Sequence, residues 1–157
     1  MDETHKNQYC FQNCQKLVVF SVDESAVLLA RRKGENDFDE VYSFIGGKME
    51  VTDRSIIVGM QREKNEEMGS DFKIKLYPIF NVTAYFLKKD GSNMVLPHYY
   101  CQHVSGEIKL NEEYSDYKWV PLNELESFEP KIATIPGMVE KLLRLKPLMN
   151  EEEFVII

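Results

Sequence analysis

Glu63, Glu66 and Glu67 stand at i, i+3 and i+4, a spacing that places three carboxylates on one face of a helix. Like charges so arranged repel by roughly 0.2 to 0.5 kcal/mol per pair. They also crowd the C-terminal turns, where the helix dipole disfavours negative charge. A hard divalent cation reverses that balance, because magnesium takes oxygen ligands and fills its remaining positions with waters and phosphate oxygens. The chemistry implied is a metal held against a phosphate group. The plainer alternative is a solvated acidic face on which Arg62 and Glu66 form an ordinary i, i+4 ion pair.

The acids need an element to carry them. Residues 54–68 contain no proline and no strand-like alternation and stop at Gly69, which predicts a helix of about four turns. Thr52 and Asp53 are the candidate caps. Ahead of it, residues 41–45 (VYSFI) read as a strand that ends on Gly46 and Gly47, where the lack of side chains lets backbone approach a ligand closely. Strand, double glycine, loop and helix therefore converge on one place.

Residues 47–70, GKMEVTDRSIIVGMQREKNEEMGS, resemble the Nudix box. Gly47, Arg62, Glu63, Glu66, Glu67 and Gly69 match its pattern, and Gly59 and Met60 fall where small residues pack the helix on the sheet. The sequence departs from the pattern at Asp53, which replaces a glutamate; at the eight residues separating Asp53 from Arg62, where seven are usual; and at Lys64 and Ser70, usually apolar. Lys64 is expected to lay its stem on the core and send its charge outward. The strand order and the segment Trp119-Val120-Pro121-Leu122 add to the likeness, which spans about residues 16–145.

The resemblance implies an α+β fold, a Nudix-type α/β/α sandwich with a mixed sheet and a central helix bearing the carboxylates. It implies Mg2+-dependent hydrolysis (with Mn2+ as a substitute) of a phosphoanhydride in a nucleoside diphosphate-linked substrate. The commonest form is a nucleoside triphosphate cut to monophosphate and pyrophosphate. Glu63, Glu66 and Glu67 would hold the metal with the Gly47 carbonyl, Arg62 would orient carboxylates including Asp53, and the general base would be one of these glutamates or an acid of the 105–116 loop, Asp116 or, as substitute, Glu113. A Nudix-like nucleotide sensor or protein-binding domain is the alternative, because Asp53 and the insertion alter the motif. An allyl-diphosphate isomerase ranks lower, since it resembles a different cysteine and glutamate arrangement.

Substrate contacts are read from residue type. Arg31, Arg32 and Lys33 form a basic knot able to reach phosphate, or are surface cations flanking a turn. Phe44, Tyr85 and Trp119 are candidates to stack on a ring, or to fill the core.

Composition narrows the classes. Nineteen basic against 26 acidic side chains give a net charge of −7, which disfavours long nucleic acid but not a small polyphosphate whose site carries a metal. No apolar run is long enough to span a bilayer, and the first ten residues lack a signal-peptide layout; a cytoplasmic protein is expected. Three cysteines do not make a disulfide framework. Cys10 and Cys14 with His98, Cys101 and His103 match no standard zinc spacing.

The chain reads as one domain, 1–157, with no repeat or linker. Residues 16–22 and 26–31 predict two strands of a hairpin, and residues 79–87 and 94–104 predict two more joined at Asp90-Gly91. Pro97 is expected to put the last of these at an edge or a bulge. A polar loop over 105–115 leads to residues 117–120 and Pro121, and Val139, Leu142 and Leu143 mark a final amphipathic helix between Pro136 and Pro147. The tail, acidic then apolar over 151–157, is suited to pairing with a sheet edge, of its own chain or of a partner in a homodimer, or to fraying.

Overall fold

The computed structural model describes Gln8 and residues 10–157. Its strands are β1 (Gln12–Asn13), β2 (Lys16–Phe20), β3 (Ala26–Arg32), β4 (Tyr42–Ser43), β5 (Lys73–Leu76), β6 (Val82–Leu87), β7 (Asn93–Ser105), β8 (Tyr114–Pro121) and β9 (Val155–Ile156). Its main helices among the described residues are α1 (Ile56–Met68), between β4 and β5, and α2 (Ile135–Leu145), after β8. β7 is the spine of the sheet. Its first half pairs with β1 and β6 and its second with β2 and β5, while β3 joins β2 to β8. β1 and β2 run parallel to β7 and the other pairings are antiparallel, so the sheet is mixed.

Both faces of the sheet are covered. Leu17 and Val19 of β2 pack with Met60 and Met68 of α1, while Val18 and Phe20 pack with Met138, Val139 and Leu142 of α2. A strand buried on both sides loses its polar alternation, which is why β2 reads as a continuous apolar run. The result is an α/β/α sandwich with α+β character.

Three local expectations are corrected. Ser55, not Thr52 or Asp53, caps α1: its Oγ accepts from the Val58 N–H at 3.2 Å, which leaves Asp53 for Arg62. Lys64 is fully buried, and its Nζ donates to the Phe72 carbonyl at 2.6 Å instead of reaching solvent. Pro97 lies within the central strand, paired with Thr83; having no N–H to give, it falls where the parallel partner changes from β1 to β2.

The tail closes on its own chain. Val155 and Ile156 pair with β5, Ile74 and Ile157 exchange backbone hydrogen bonds at 3.1 and 2.9 Å, and Ile157 is buried. Among the described residues, no helix is long and apolar enough to cross a membrane.

Candidate active site

The segment after β4 runs beside the start of β2, bridging Ile45 to Leu17 and Lys48 to Cys14. That antiparallel register sets Gly46 opposite Lys16 and Gly47 opposite Gln15. At Gly46 the backbone has φ +127, and an added Cβ would lie 2.0 Å from the Gln15 carbonyl oxygen. Only glycine fits there.

With its backbone so placed, Gly46 donates its N–H to Glu67 Oε2 at 2.9 Å. The Tyr114 hydroxyl donates to the other oxygen at 3.3 Å. Glu67 is 1% exposed. Burial pushes its pKa up to about 8, and the Gly46 N–H offsets only part of that rise. Glu63, one turn earlier, lies against Gly47, and its pKa is also raised by burial, opposed by the neighbouring Arg62 guanidinium. Glu66 is the exposed member of the three.

Arg62 is the hub of this end of α1. Its Nε and Nη2 each donate to an Asp53 oxygen at 2.9 Å, its Nη1 donates to Glu63 at 2.9 Å, and it pairs with Glu66 at 3.3 Å. Asp53 also accepts from the Glu50 N–H. The fork holds its carboxyl down at about 2, so the shorter acid meets Arg62 despite the additional residue between them. Among the described residues, no three acidic, histidine or cysteine side chains form a ready-made metal cage, and Arg62 bridges Glu63 and Glu66 through its Nη1. The donor set nevertheless fits a hard cation: every candidate ligand is oxygen, and Glu67 is a buried carboxylate whose charge the surrounding chain does not fully offset.

A cavity of about 530 Å³ opens beside these acids, within the size range of small-ligand sites. Glu63, Glu66 and Glu67 line one part, and Phe44, Ala84, Met94 and Leu96 line another. His98 meets Phe44 edge-on at a centroid distance of 5.7 Å, and burial pulls its pKa down to about 4. The imidazole is therefore neutral at pH 7, and its Nδ1 donates to the Leu96 carbonyl at 2.7 Å.

The expected substrate and base residues separate. Phe44 and Tyr85 line the cavity, Tyr85 with its hydroxyl on Asn93. Arg31 does not, because its Nε is tied to the Glu40 carbonyl and carboxylate at 3.1 and 3.2 Å. Strand alternation gives that place to Arg32. Asp116 accepts from the Tyr42 hydroxyl at 2.5 Å and lies outside the lining, whereas Glu113 is part of it. Trp119 stacks on His103 and packs on the core. The zinc set does not assemble: Cys101 is fully buried, and His103 packs against Phe72 and Trp119.

Lys16, His98 and Tyr114 were not singled out for this cavity by their sequence context. Their only signal was position on a strand face, which is invisible until the register is known.

Residues 16–142 match the model of the NUDIX domain. The chain therefore belongs to the Nudix family, and it is a MutT-like Nudix hydrolase. It is 28% identical over 135 residues to the nucleoside triphosphatase NudI of Escherichia coli O17:K52:H18, covering 81% of this chain and 92% of that protein. Its fold is similar to that of the MutT protein from Methanosarcina mazei Go1, with a TM-score of 0.70, 20% identity, and coverage of 87% of this chain and 95% of that one. It is also similar to the NUDIX domain of Shewanella oneidensis NrtR complexed with ADP-ribose, with a TM-score of 0.65, 17% identity, and coverage of 96% and 100%.

Proposed function

We propose that this hydrolase cuts a phosphoanhydride bond of a nucleoside diphosphate-linked substrate in a Mg2+-dependent reaction, most readily converting a nucleoside triphosphate to monophosphate and pyrophosphate. The observation that carries the reading is Glu67: a buried carboxylate anchored by the Gly46 N–H beside a cavity large enough for a nucleotide. Support for the triphosphate comes from the likeness to NudI, named a nucleoside triphosphatase.

Glu63, Glu66 and Glu67 are the residues that would hold magnesium, with the Gly47 carbonyl as a further oxygen. Gly47 already accepts the Gln15 N–H at 3.0 Å, and a carbonyl oxygen has a second lone pair to offer. Bound there, magnesium would neutralise pyrophosphate charge and lower the pKa of a coordinated water. Arg62 orients Glu63 and Asp53. Glu113, which lines the cavity, takes the general-base role in place of Asp116. The apolar wall at Phe44 and Leu96 receives the ring end of the substrate, and Arg32, steadied by Glu35 at 3.0 Å, faces the phosphates.

A panel of nucleoside triphosphates, diphosphates and nucleoside diphosphate derivatives, assayed with Mg2+, with Mn2+ and with chelator, tests the proposal. The expected result is metal-dependent release of pyrophosphate from at least one triphosphate, lowered about 100-fold or more in Glu66→Gln and Glu67→Gln with the fold retained. Metal-independent cleavage, or no cleavage across the panel, would overturn it.

A further inference from the structure

Resting on the hydrolytic reading above, we infer that Lys16 holds the phosphate that stays on the nucleoside, so that the substrate lies across the sheet with its scissile bond toward Glu67 and its ring toward His98 and Phe44. The argument begins with a row of residues. Gly46, whose N–H anchors Glu67, stands opposite Lys16 on one side. On the other side Lys16 is in direct register with His98 of β7. Neighbours in register point to the same face of a sheet, so Lys16 and His98 project together, and both line the cavity. Lys16 thus separates the acid end of the cavity from its aromatic end.

The charge pattern says what it is for. Lys16 is half-buried and, among the described residues, makes no hydrogen bond or ion pair through its ammonium group. The other cations of the cavity are differently placed: Arg32 is paired with Glu35, and Lys48 and Lys88 both lie near Asp90, in the turn between β6 and β7. Its neighbour His98 is neutral and does not repel it. A half-buried lysine whose ammonium group makes no hydrogen bond or ion pair, at the middle of a nucleotide-sized cavity and close enough to Glu67 to feel its charge, is a point charge presented to an anion. The anion that falls between a metal-held pyrophosphate and a ring is the phosphate esterified to the sugar.

The structural alternative is that Lys16 merely offsets the charge of Glu67. The two roles differ in which product they affect. The test is calorimetric binding, with Mg2+ present, of the common ribo- and deoxyribonucleoside 5′-monophosphates and of inorganic pyrophosphate to the wild type, Lys16→Met and Lys16→Arg. Methionine keeps the stem and arginine keeps the charge. The expected result is a monophosphate Kd raised roughly ten- to hundredfold in Lys16→Met, largely restored in Lys16→Arg, with pyrophosphate affinity changed less than about twofold. Equal weakening of both ligands, or of pyrophosphate alone, would assign Lys16 to Glu67 and overturn the inference, as would unchanged monophosphate affinity. Failure of the hydrolytic reading is distinguishable. Wild-type protein that cleaves no triphosphate but binds monophosphate through Lys16 loses the reading and keeps the contact, whereas turnover with Lys16-independent monophosphate binding does the reverse.

Discussion

The carboxyl group of Glu63 occupies the space in which a side chain on Gly47 would begin, one of its oxygens lying 2.2 Å from the position a Cβ would take. The glycine of the motif is therefore a seat for the first glutamate. A methyl group there meets the far end of a flexible side chain, not backbone. Gly47→Ala is expected to push Glu63 aside at little cost to folding: thermal unfolding should stay within a few degrees of the wild type while kcat/KM falls at least about tenfold. Full activity in this variant would show that Glu63 need not sit where it does.

Arg62 makes a two-pronged contact with Asp53 and reaches Glu63 with a third N–H. Lysine has one ammonium group and cannot reproduce a planar fork. Arg62→Lys should lower kcat about tenfold and leave KM nearly unchanged, because the residue acts through the acids and not on the substrate. A rise in KM alone, measured in steady state, would place Arg62 on the substrate instead.

Much of this was legible in the sequence, and the failures share a cause. The helix bearing the acids, the β6–β7 turn at Asp90-Gly91 and the final helix show their own periodicity and punctuation. β5 was missed because KIKL offers only four residues of alternation, too short to stand out beside a helix end. Tail pairing was readable as a tendency, but its partner strand was not. The three glutamates could be placed together on one helix because their spacing is local. Nothing local marks Arg32 rather than Arg31, or Glu113 rather than Asp116, as lining the cavity, because strand face and cross-strand neighbours are not properties of a linear sequence. The same holds for the outward course expected of Lys64: its partner, the Phe72 carbonyl, is supplied by the turn after the helix.

Burial raises Glu67 from an ordinary 4.5 to about 8. A carboxyl whose folded pKa exceeds its unfolded one binds more protons when folded, so its contribution to stability is full below about pH 4.5 and is lost as pH rises through 8. Glutamine imitates the protonated form. In chelator, Glu67→Gln should melt with the wild type near pH 4.5 and above it at pH 8.5. Magnesium added at pH 8.5 should raise the melting temperature of the wild type and not of the variant. Coincident melting temperatures at all pH values would mean that Glu67 is ionised without cost.

Lys64 presents the opposite sign. Its side chain is enclosed beneath the end of α1, with the ammonium group on the Phe72 carbonyl, and burial lowers its pKa from 10.5 to about 8. At pH 7 the lysine is charged in both folded and unfolded chains, so folding carries a charge out of water. Above pH 10.5 it is neutral in both, and that cost is gone. Methionine has a similar length and no charge to bury, although it leaves the Phe72 carbonyl without its donor. Replacing a buried charge with an apolar side chain of similar volume is commonly neutral or stabilising. Lys64→Met should therefore raise the melting temperature by a few degrees at pH 7, and the advantage should shrink as pH rises from 8 toward 10.5. A variant less stable than the wild type at pH 7, with a deficit that persists at high pH, would show that the hydrogen bond to Phe72 outweighs the desolvation of the ammonium group.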